Sequence, residues 1–243
     1  MNLRKYTPLI LGFGLAIALL LHPGLAYAEH EFGELTALAD KYETDKGTKG
    51  HKYTEVYEYF FYPIKDTVRK IFEIGIAKGA SLKMFRDYFP QAVIYGIDID
   101  DKSGLASDVL KTFVADQSDR EQLQAFINTY EGDFDLILDD GGHTMKQQQV
   151  SLGYLFKYVK PGGYYIVEDV HTSLYDVFGG NAGAEPDEAN TTMTMINHFI
   201  RTGQINSSYM TNEEMQYLTD HIVYCNLFSR NSGRSITWII KKK

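Results

Sequence analysis

Two aspartates and a histidine lie together in the stretch LILDDGGH, at residues 136–143. An apolar run precedes Asp139 and Asp140, and two glycines separate these acids from His143. Carboxylate oxygens are ligands for hard divalent cations, and an ordinary histidine, with a pKa of about 6.5, exchanges protons near neutral pH. The stretch therefore predicts either a metal and proton-transfer site or a polar turn that begins a helix.

A second acidic pair, Glu168-Asp169, follows another short apolar run at residues 164–167. The carboxyl ends of parallel strands lie at one edge of a sheet, which would bring this pair close to Asp139-Asp140. Four carboxylates at one edge repel each other unless a cation is bound, and Mg²⁺ suits two or three carboxylates plus water. The alternative is a solvated acidic rim with an aspartate that caps a helix.

Three earlier strand ends carry groups that suit a nucleoside. Residues 73–81 read EIGIAKGAS, in which Gly75 and Gly79 allow close approach of a ligand to the backbone. Their spacing differs from the dinucleotide pattern G-x-G-x-x-G, and a plain tight turn is the alternative. Asp98, about 20 residues further on, is placed to accept hydrogen bonds from ribose hydroxyls. Asp116-Gln117 ends the third strand, and together these groups favour a nucleoside cofactor.

The elements that position these residues alternate between short apolar segments and longer amphipathic ones. This rhythm predicts an α/β fold, with a doubly wound, mostly parallel seven-stranded sheet and an antiparallel last strand. A segment rich in Gly, Asp and Asn at residues 171–190 is predicted to be a loop or lid. The predicted strands are 70–75, 92–98, 112–115, 134–138, 164–167, 222–228 and 235–240, and the main predicted helices are 31–42, 53–61, 81–89 and 119–129, one that begins at Thr144 and one that ends near residue 200.

Residues 1–28 have the three-part pattern of a secretory signal peptide, namely a basic start, an apolar run and a small-x-small end. The apolar run, residues 9–21, is about 13 residues long and shorter than the ~20 residues that span a bilayer. We expect cleavage after Ala28 and export to the periplasm or the medium, with an uncleaved membrane anchor as the alternative. Residues 29–243 are then one domain, with an N-terminal helical segment at 29–66 and no integral membrane span.

Composition narrows the range of partners. Loss of Arg4 and Lys5 with the signal would change the formal net charge from −8 to −10. An acidic chain without a basic cluster argues against a nucleic-acid partner. Cys225 is the only cysteine, so the chain cannot form an internal disulfide. The sequence leaves the oligomeric state open, a homo-oligomer included.

Taken in order, these motifs resemble those of class I S-adenosylmethionine-dependent methyltransferases. The type they resemble in particular is the metal-dependent sugar O-methyltransferases of macrolide biosynthesis, over roughly residues 36–180. The motifs are Thr44-Asp45-Lys46-Gly47, Glu73-x-Gly75-x-x-x-Gly79-x-Ser81-Leu82, Asp98, Asp116-Gln117-Ser118, Asp139-Asp140-Gly141-Gly142-His143 and Glu168-Asp169-x-His171-Thr172-Ser173.

The resemblance implies a role for each of these residues. Around the cofactor S-adenosylmethionine it places Glu73, Gly75 and Ser81 at the methionine part, Asp98 at the ribose, and Asp116 with Gln117 at the adenine. It implies Asp140, Glu168 and Asp169 as ligands of Mg²⁺, and His143 as the general base. Two departures from the family are Gly142, where serine is common, and the export signal, which typical members lack.

The predicted function is Mg²⁺-assisted transfer of a methyl group to a hydroxyl of a sugar or another vicinal diol, on a small molecule or a glycan. The cation would acidify the hydroxyl while His143 takes its proton. One alternative is an exported, non-catalytic relative that binds a glycan or a metal, which the signal peptide favours because S-adenosylmethionine is made in the cytosol. The other is an NAD-dependent oxidoreductase, which the broken glycine pattern and the carboxylate cluster disfavour.

Overall fold

The structure is a computed structural model that describes residues 31–183, 190–230 and 235–243. The predicted signal peptide lies outside the described residues, as do residues 184–189 of the predicted loop or lid. Residues 32–243 form one compact unit. Within the described ranges, no helix combines the length and the apolarity needed to cross a bilayer.

Seven strands form a single sheet in the order β3-β2-β1-β4-β5-β7-β6. Strands β1 to β5 run parallel, and β7 is antiparallel to both of its neighbours. The predicted fold class is therefore confirmed. The strands are β1 (Lys70–Ile74), β2 (Val93–Asp98), β3 (Leu110–Val114), β4 (Phe134–Asp139), β5 (Val159–Val167), β6 (Ile222–Ser229) and β7 (Ile236–Lys242).

Helices cover both faces of this sheet. Alternate residues of a strand point to opposite faces, so Ile71 of β1 lies in one apolar cluster and Phe72 in the other. Both clusters are buried, which explains why the parallel strands read as almost continuous apolar runs. The described α-helices are α1 (Glu34–Tyr42), α2 (Thr54–Phe61), α3 (Ala80–Tyr88), α4 (Arg120–Tyr130), α5 (Met145–Leu155), α6 (Thr192–Thr202) and α7 (Asn212–His221).

The structure differs from the sequence prediction at two elements. Helix α7 was not predicted, although Thr211 and Glu214 form the capping box that begins it. Strand β5 begins at Val159 rather than at residue 164 as predicted, and it therefore includes the Pro161-Gly162-Gly163 segment. The pairing of β4 with β5 shifts register there, so the segment is accommodated as an irregularity at the start of a strand.

Candidate cofactor and metal site

A cavity of about 570 Å³ opens at the carboxyl ends of β1, β2, β3 and β4. The order of the strands reverses between β1 and β4, and this is where α/β sheets bind ligands. Five of the predicted cofactor residues line the cavity, and Asp140 lines it as well; the five are Gly75, Ser81, Asp98, Asp116 and Gln117. The sixth, Glu73, is fully buried and accepts a hydrogen bond of 2.8 Å from the Ser81 hydroxyl.

Gly75 fixes the approach of the loop after β1 to the loop after β4. Its φ is 90°, a conformation that L side chains rarely adopt. A Cβ atom at this position would lie 2.1 Å from the carbonyl oxygen of Asp140. The two loops therefore meet with no space for a side chain, and Asp140 is held at the mouth of the cavity.

Asp98 binds the loop after β1 from the end of β2. Its Oδ2 accepts hydrogen bonds from the N–H groups of Ile76 at 2.9 Å and Ala77 at 3.0 Å, and its Oδ1 from that of Asp100 at 3.0 Å. Burial acts to raise the pKa of Asp98, but these three donors and Lys102 lower it overall. The structure thus gives this carboxylate a loop-holding role, while its contact with a ribose stays a prediction.

Gln117 and Asp139 form a buried layer beneath the GGH turn. The Gln117 side chain donates to Oδ1 of Asp139 at 2.8 Å and accepts from the Gly142 N–H at 2.8 Å. Burial raises the pKa of Asp139 to about 6, opposed by hydrogen bonds from Ser151 and Gln117. Asp139 therefore faces the core rather than the rim, which is formed by Asp140, His143 and Asp169.

Lys46 lies between Asp140 and Glu168 and is fully buried. Its ammonium donates to Oδ2 of Asp140 and, at 2.7 Å, to Oε2 of Glu168. The second oxygen of Glu168 accepts a 2.8 Å hydrogen bond from the Tyr57 hydroxyl. Burial and the nearby Asp140 raise the pKa of Glu168, while Lys46 opposes this shift. Lys46 belongs to the motif Thr44-Asp45-Lys46-Gly47, but no pattern in the sequence indicates its role.

Three residues at the rim have side-chain atoms that could bind one metal ion. One such atom from each of Asp140, His143 and Asp169 lies within 4.8 Å of the others, the arrangement that a metal ion requires. Nε2 of His143 is 3.5 Å from Oδ2 of Asp169 and 3.9 Å from Oδ1 of Asp140. Glu168, the third predicted ligand, lies behind this group on Lys46 and Tyr57. Its role as a ligand, and that of His143 as a base, stay predictions.

The backbone at this rim is strained at two side-chain-bearing residues. His143 has a φ of 59° and Asp169 a φ of 52°, both in the left-handed region. Strained conformations of this kind cluster at functional sites, where the surrounding structure enforces them. These two residues carry two of the three ligand atoms that lie together at the rim.

Two further histidines surround Asp169. Nδ1 of His51 and Nδ1 of His171 each lie 3.8 Å from Oδ1 of Asp169, which also accepts a 2.5 Å hydrogen bond from the Tyr53 hydroxyl. Burial lowers the pKa of His171, with Asp169 acting in the opposite direction. Sequence reasoning overlooked His51, because it lies far from the strand ends in the chain and reaches them only through the fold.

This fold and site define a class of protein. The sheet order with an antiparallel β7, a nucleoside-sized cavity where the order reverses, and a carboxylate rim beside it are those of a class I methyltransferase fold. No protein-family model matches the chain.

Comparisons with known proteins point to one type within that class. L-olivosyl-oleandolide 3-O-methyltransferase of Streptomyces antibioticus is 34% identical over 178 residues, which are 70% of this chain and 46% of that protein. Mycinamicin VI 2''-O-methyltransferase of Micromonospora griseorubida is 35% identical over 166 residues, 65% of this chain and 41% of that protein. The chain thus spans about half the length of these relatives, or less.

A solved structure agrees with these relatives. The MycE methyltransferase of the mycinamycin pathway, in complex with Mg and SAH, superposes with a TM-score of 0.73 and 29% identity, over 86% of this chain and 54% of that one. The predicted resemblance to metal-dependent macrolide sugar O-methyltransferases is therefore confirmed. The comparisons favour neither the oxidoreductase nor the non-catalytic alternative.

Proposed function

We propose that this chain transfers a methyl group from S-adenosylmethionine to a hydroxyl group of a sugar-bearing small molecule, with the help of Mg²⁺. The observation that carries the proposal is the position of Asp140. It lines the cofactor-sized cavity and also belongs to the Asp140–His143–Asp169 group, so one residue joins the two parts of the site. A hydroxyl held at this group would face the cavity.

The cavity suits the cofactor in volume and in chemistry. Its volume of about 570 Å³ lies within the range of about 300–1,000 Å³ that ligand pockets occupy. Gly75 brings bare backbone to its wall, and the first turn of α3 lines it at Ser81. Asp98 retains lone pairs on Oδ1, which accepts only one of the three backbone bonds within the described structure. These features support a nucleoside with a charged amino-acid end.

The rim suits a hard divalent cation. Asp140 and Asp169 offer carboxylate oxygens within 4.8 Å of one another, the donors that Mg²⁺ prefers, and His143 lies beside them. A cation bound there would lower the pKa of an acceptor hydroxyl and fix its orientation. The vicinal diol is our choice of acceptor, because two neighbouring oxygens can share one cation.

His143 is our choice of proton acceptor. Its Nε2 lies beside both carboxylates, which would stabilise the imidazolium formed when the hydroxyl proton arrives. The gain expected from a positioned general base is about 10²- to 10⁴-fold in rate. The rest of the work that the chain does is positional, since cofactor and hydroxyl must meet in line.

Two substitutions separate the metal from the base. Asp140→Asn keeps the shape of the side chain but removes a charge, so Mg²⁺ affinity in calorimetry should fall. His143→Ala should leave Mg²⁺ and cofactor binding nearly intact, while methyl transfer to a panel of glycosides falls about 10²- to 10⁴-fold. His221→Ala is the control, because that histidine bonds to the Tyr217 carbonyl at the end of α7, away from the cavity lining.

The outcome assigns His143 to one role or the other. If His143→Ala abolishes Mg²⁺ binding, the histidine is a ligand and another group is the base. If neither variant changes metal binding, cofactor binding or methyl transfer, the proposed function is wrong.

A further inference from the structure

Lys46 connects the cation side of the site with the cofactor side. It lies in the loop between α1 and α2, and its side chain passes into the interior to reach the ends of β1, β4 and β5. A fully buried lysine is rare unless it is paired with acids. Lys46 is paired with Asp140 and Glu168, and it lies 3.6 Å from Oε1 of Glu73.

Glu73 holds a vacant acceptor for this lysine. Its Oε2 accepts the hydrogen bond from Ser81, but no donor among the described residues makes a hydrogen bond to Oε1. The side chain of Glu73 is fully buried, so bulk solvent does not reach that oxygen. The distance of 3.6 Å from Nζ is longer than the usual ~2.9 Å hydrogen bond, and a small shift of the ammonium would close it.

A divalent cation at Asp140 and Asp169 would compete with the ammonium. Both are positive, and both draw on the Asp140 carboxylate in a setting that screens charge poorly. The ammonium has the Glu73 oxygen within reach on its other side. Its departure would also release Oε2 of Glu168, which Lys46 now holds away from the rim.

We propose that Lys46 is a two-position counter-ion of this site. Without a divalent cation its ammonium neutralises Asp140 and Glu168, and with one bound it moves to Oε1 of Glu73 and frees Glu168 to face the cation. The inference rests on the cation site of the proposed function. Its consequence is that cation binding brings the ammonium charge next to Glu73, which accepts a hydrogen bond from Ser81 in the first turn of α3, where that turn lines the cofactor cavity.

The direct test uses the unmodified protein. Crystal structures with and without Mn²⁺, which binds the same donors and can be located by its anomalous scattering, should show Nζ of Lys46 within about 3 Å of Oε1 of Glu73 only when the ion is present. A bound ion with unchanged contacts from Lys46 to Asp140 and Glu168 overturns this inference but leaves the proposed function intact. Failure of any divalent cation to bind overturns the inference and the metal-assisted function together.

Calorimetry on variants tests the same inference in solution. Lys46→Met should bind Mg²⁺ about 5- to 100-fold more tightly than the unmodified protein, because the competing charge is gone. Glu73→Gln should weaken Mg²⁺ binding in the unmodified background but not in the Lys46→Met background, since its effect acts through Lys46. Lys242→Met is the matched control, because that buried lysine bonds only to the Lys157 and Val159 carbonyls within the described structure.

Each calorimetric result supports or refutes the counter-ion role of Lys46. Unchanged or weaker Mg²⁺ binding by a folded Lys46→Met variant refutes the counter-ion role. If Lys46→Met does not fold, Glu73→Gln decides alone, and unchanged Mg²⁺ affinity in that variant refutes the proposal. An effect of Glu73→Gln that persists without Lys46 reflects general electrostatics and also refutes it.

Discussion

Replacing Asp98 with alanine should weaken cofactor binding and loosen the loop after β1 at the same time. The substitution removes the acceptor of three backbone hydrogen bonds, two of them from Ile76 and Ala77 in that loop. Bonds to charged groups contribute about 1.5–3 kcal/mol each. Because the side chain is 12% exposed and water can enter the space it leaves, we expect the free energy of unfolding to fall by about 2–4 kcal/mol, less than the sum.

Cofactor affinity should fall separately from this loss of stability. A ribose that gives one hydrogen bond to the Asp98 carboxylate would lose about 1.5–3 kcal/mol, which is about 10- to 150-fold in affinity. Urea unfolding measures the first effect, and calorimetry with S-adenosylhomocysteine at a temperature where the variant is folded measures the second. Asp101→Ala is the control, because Asp101 also accepts a backbone bond, from Ser103 at 2.8 Å, but does not line the cavity. Unchanged affinity in a folded Asp98→Ala protein would refute the ribose role.

Three further predictions follow from single features. Gly75→Ala should abolish cofactor binding and lower the melting temperature, because its Cβ would lie 2.1 Å from the Asp140 carbonyl oxygen, as calorimetry and thermal unfolding would show. The Tyr42 hydroxyl, with Arg86 and Lys41, holds the pKa of Asp87 well below its usual range. The stability that the Asp87 carboxylate contributes is therefore present above about pH 4 and lost as the pH falls. In unfolding curves measured at several pH values, Asp87→Asn should reduce the loss of stability at acid pH. N-terminal sequencing of protein from its natural host should begin at Glu29, and an intact Met1 on a cytosolic protein would contradict export.

The strands were predictable because each leaves a strong local signal in the sequence. Leu136 to Leu138 of β4 form an apolar run that ends in acids, and the run is continuous because both faces of a parallel strand are buried. Helix α7 gave a weaker signal, since only Leu218 is buried along it. Its capping box was the cue that pattern reading overlooked.

Most residues of the site were predictable from the sequence, but the contacts between them were not. Their position at strand ends singled out four acids, and the family resemblance then indicated Asp140, Glu168 and Asp169 as the metal ligands. Whether a carboxylate faces the rim or the core depends on partners that are distant in the chain, and Asp139 faces Gln117 and Ser151. The pairing of Lys46 with Glu168 spans 122 residues and rests on tertiary packing that no local pattern encodes.

The central claim is that the cavity binds S-adenosylmethionine beside a divalent cation. Calorimetric titration of purified residues 29–243 with S-adenosylmethionine and with NAD, each with and without Mg²⁺, tests it directly. We predict binding of S-adenosylmethionine, a separate Mg²⁺ isotherm that Asp140→Asn weakens, and no binding of NAD. Binding of NAD, or of neither nucleotide by a folded protein, would contradict the account.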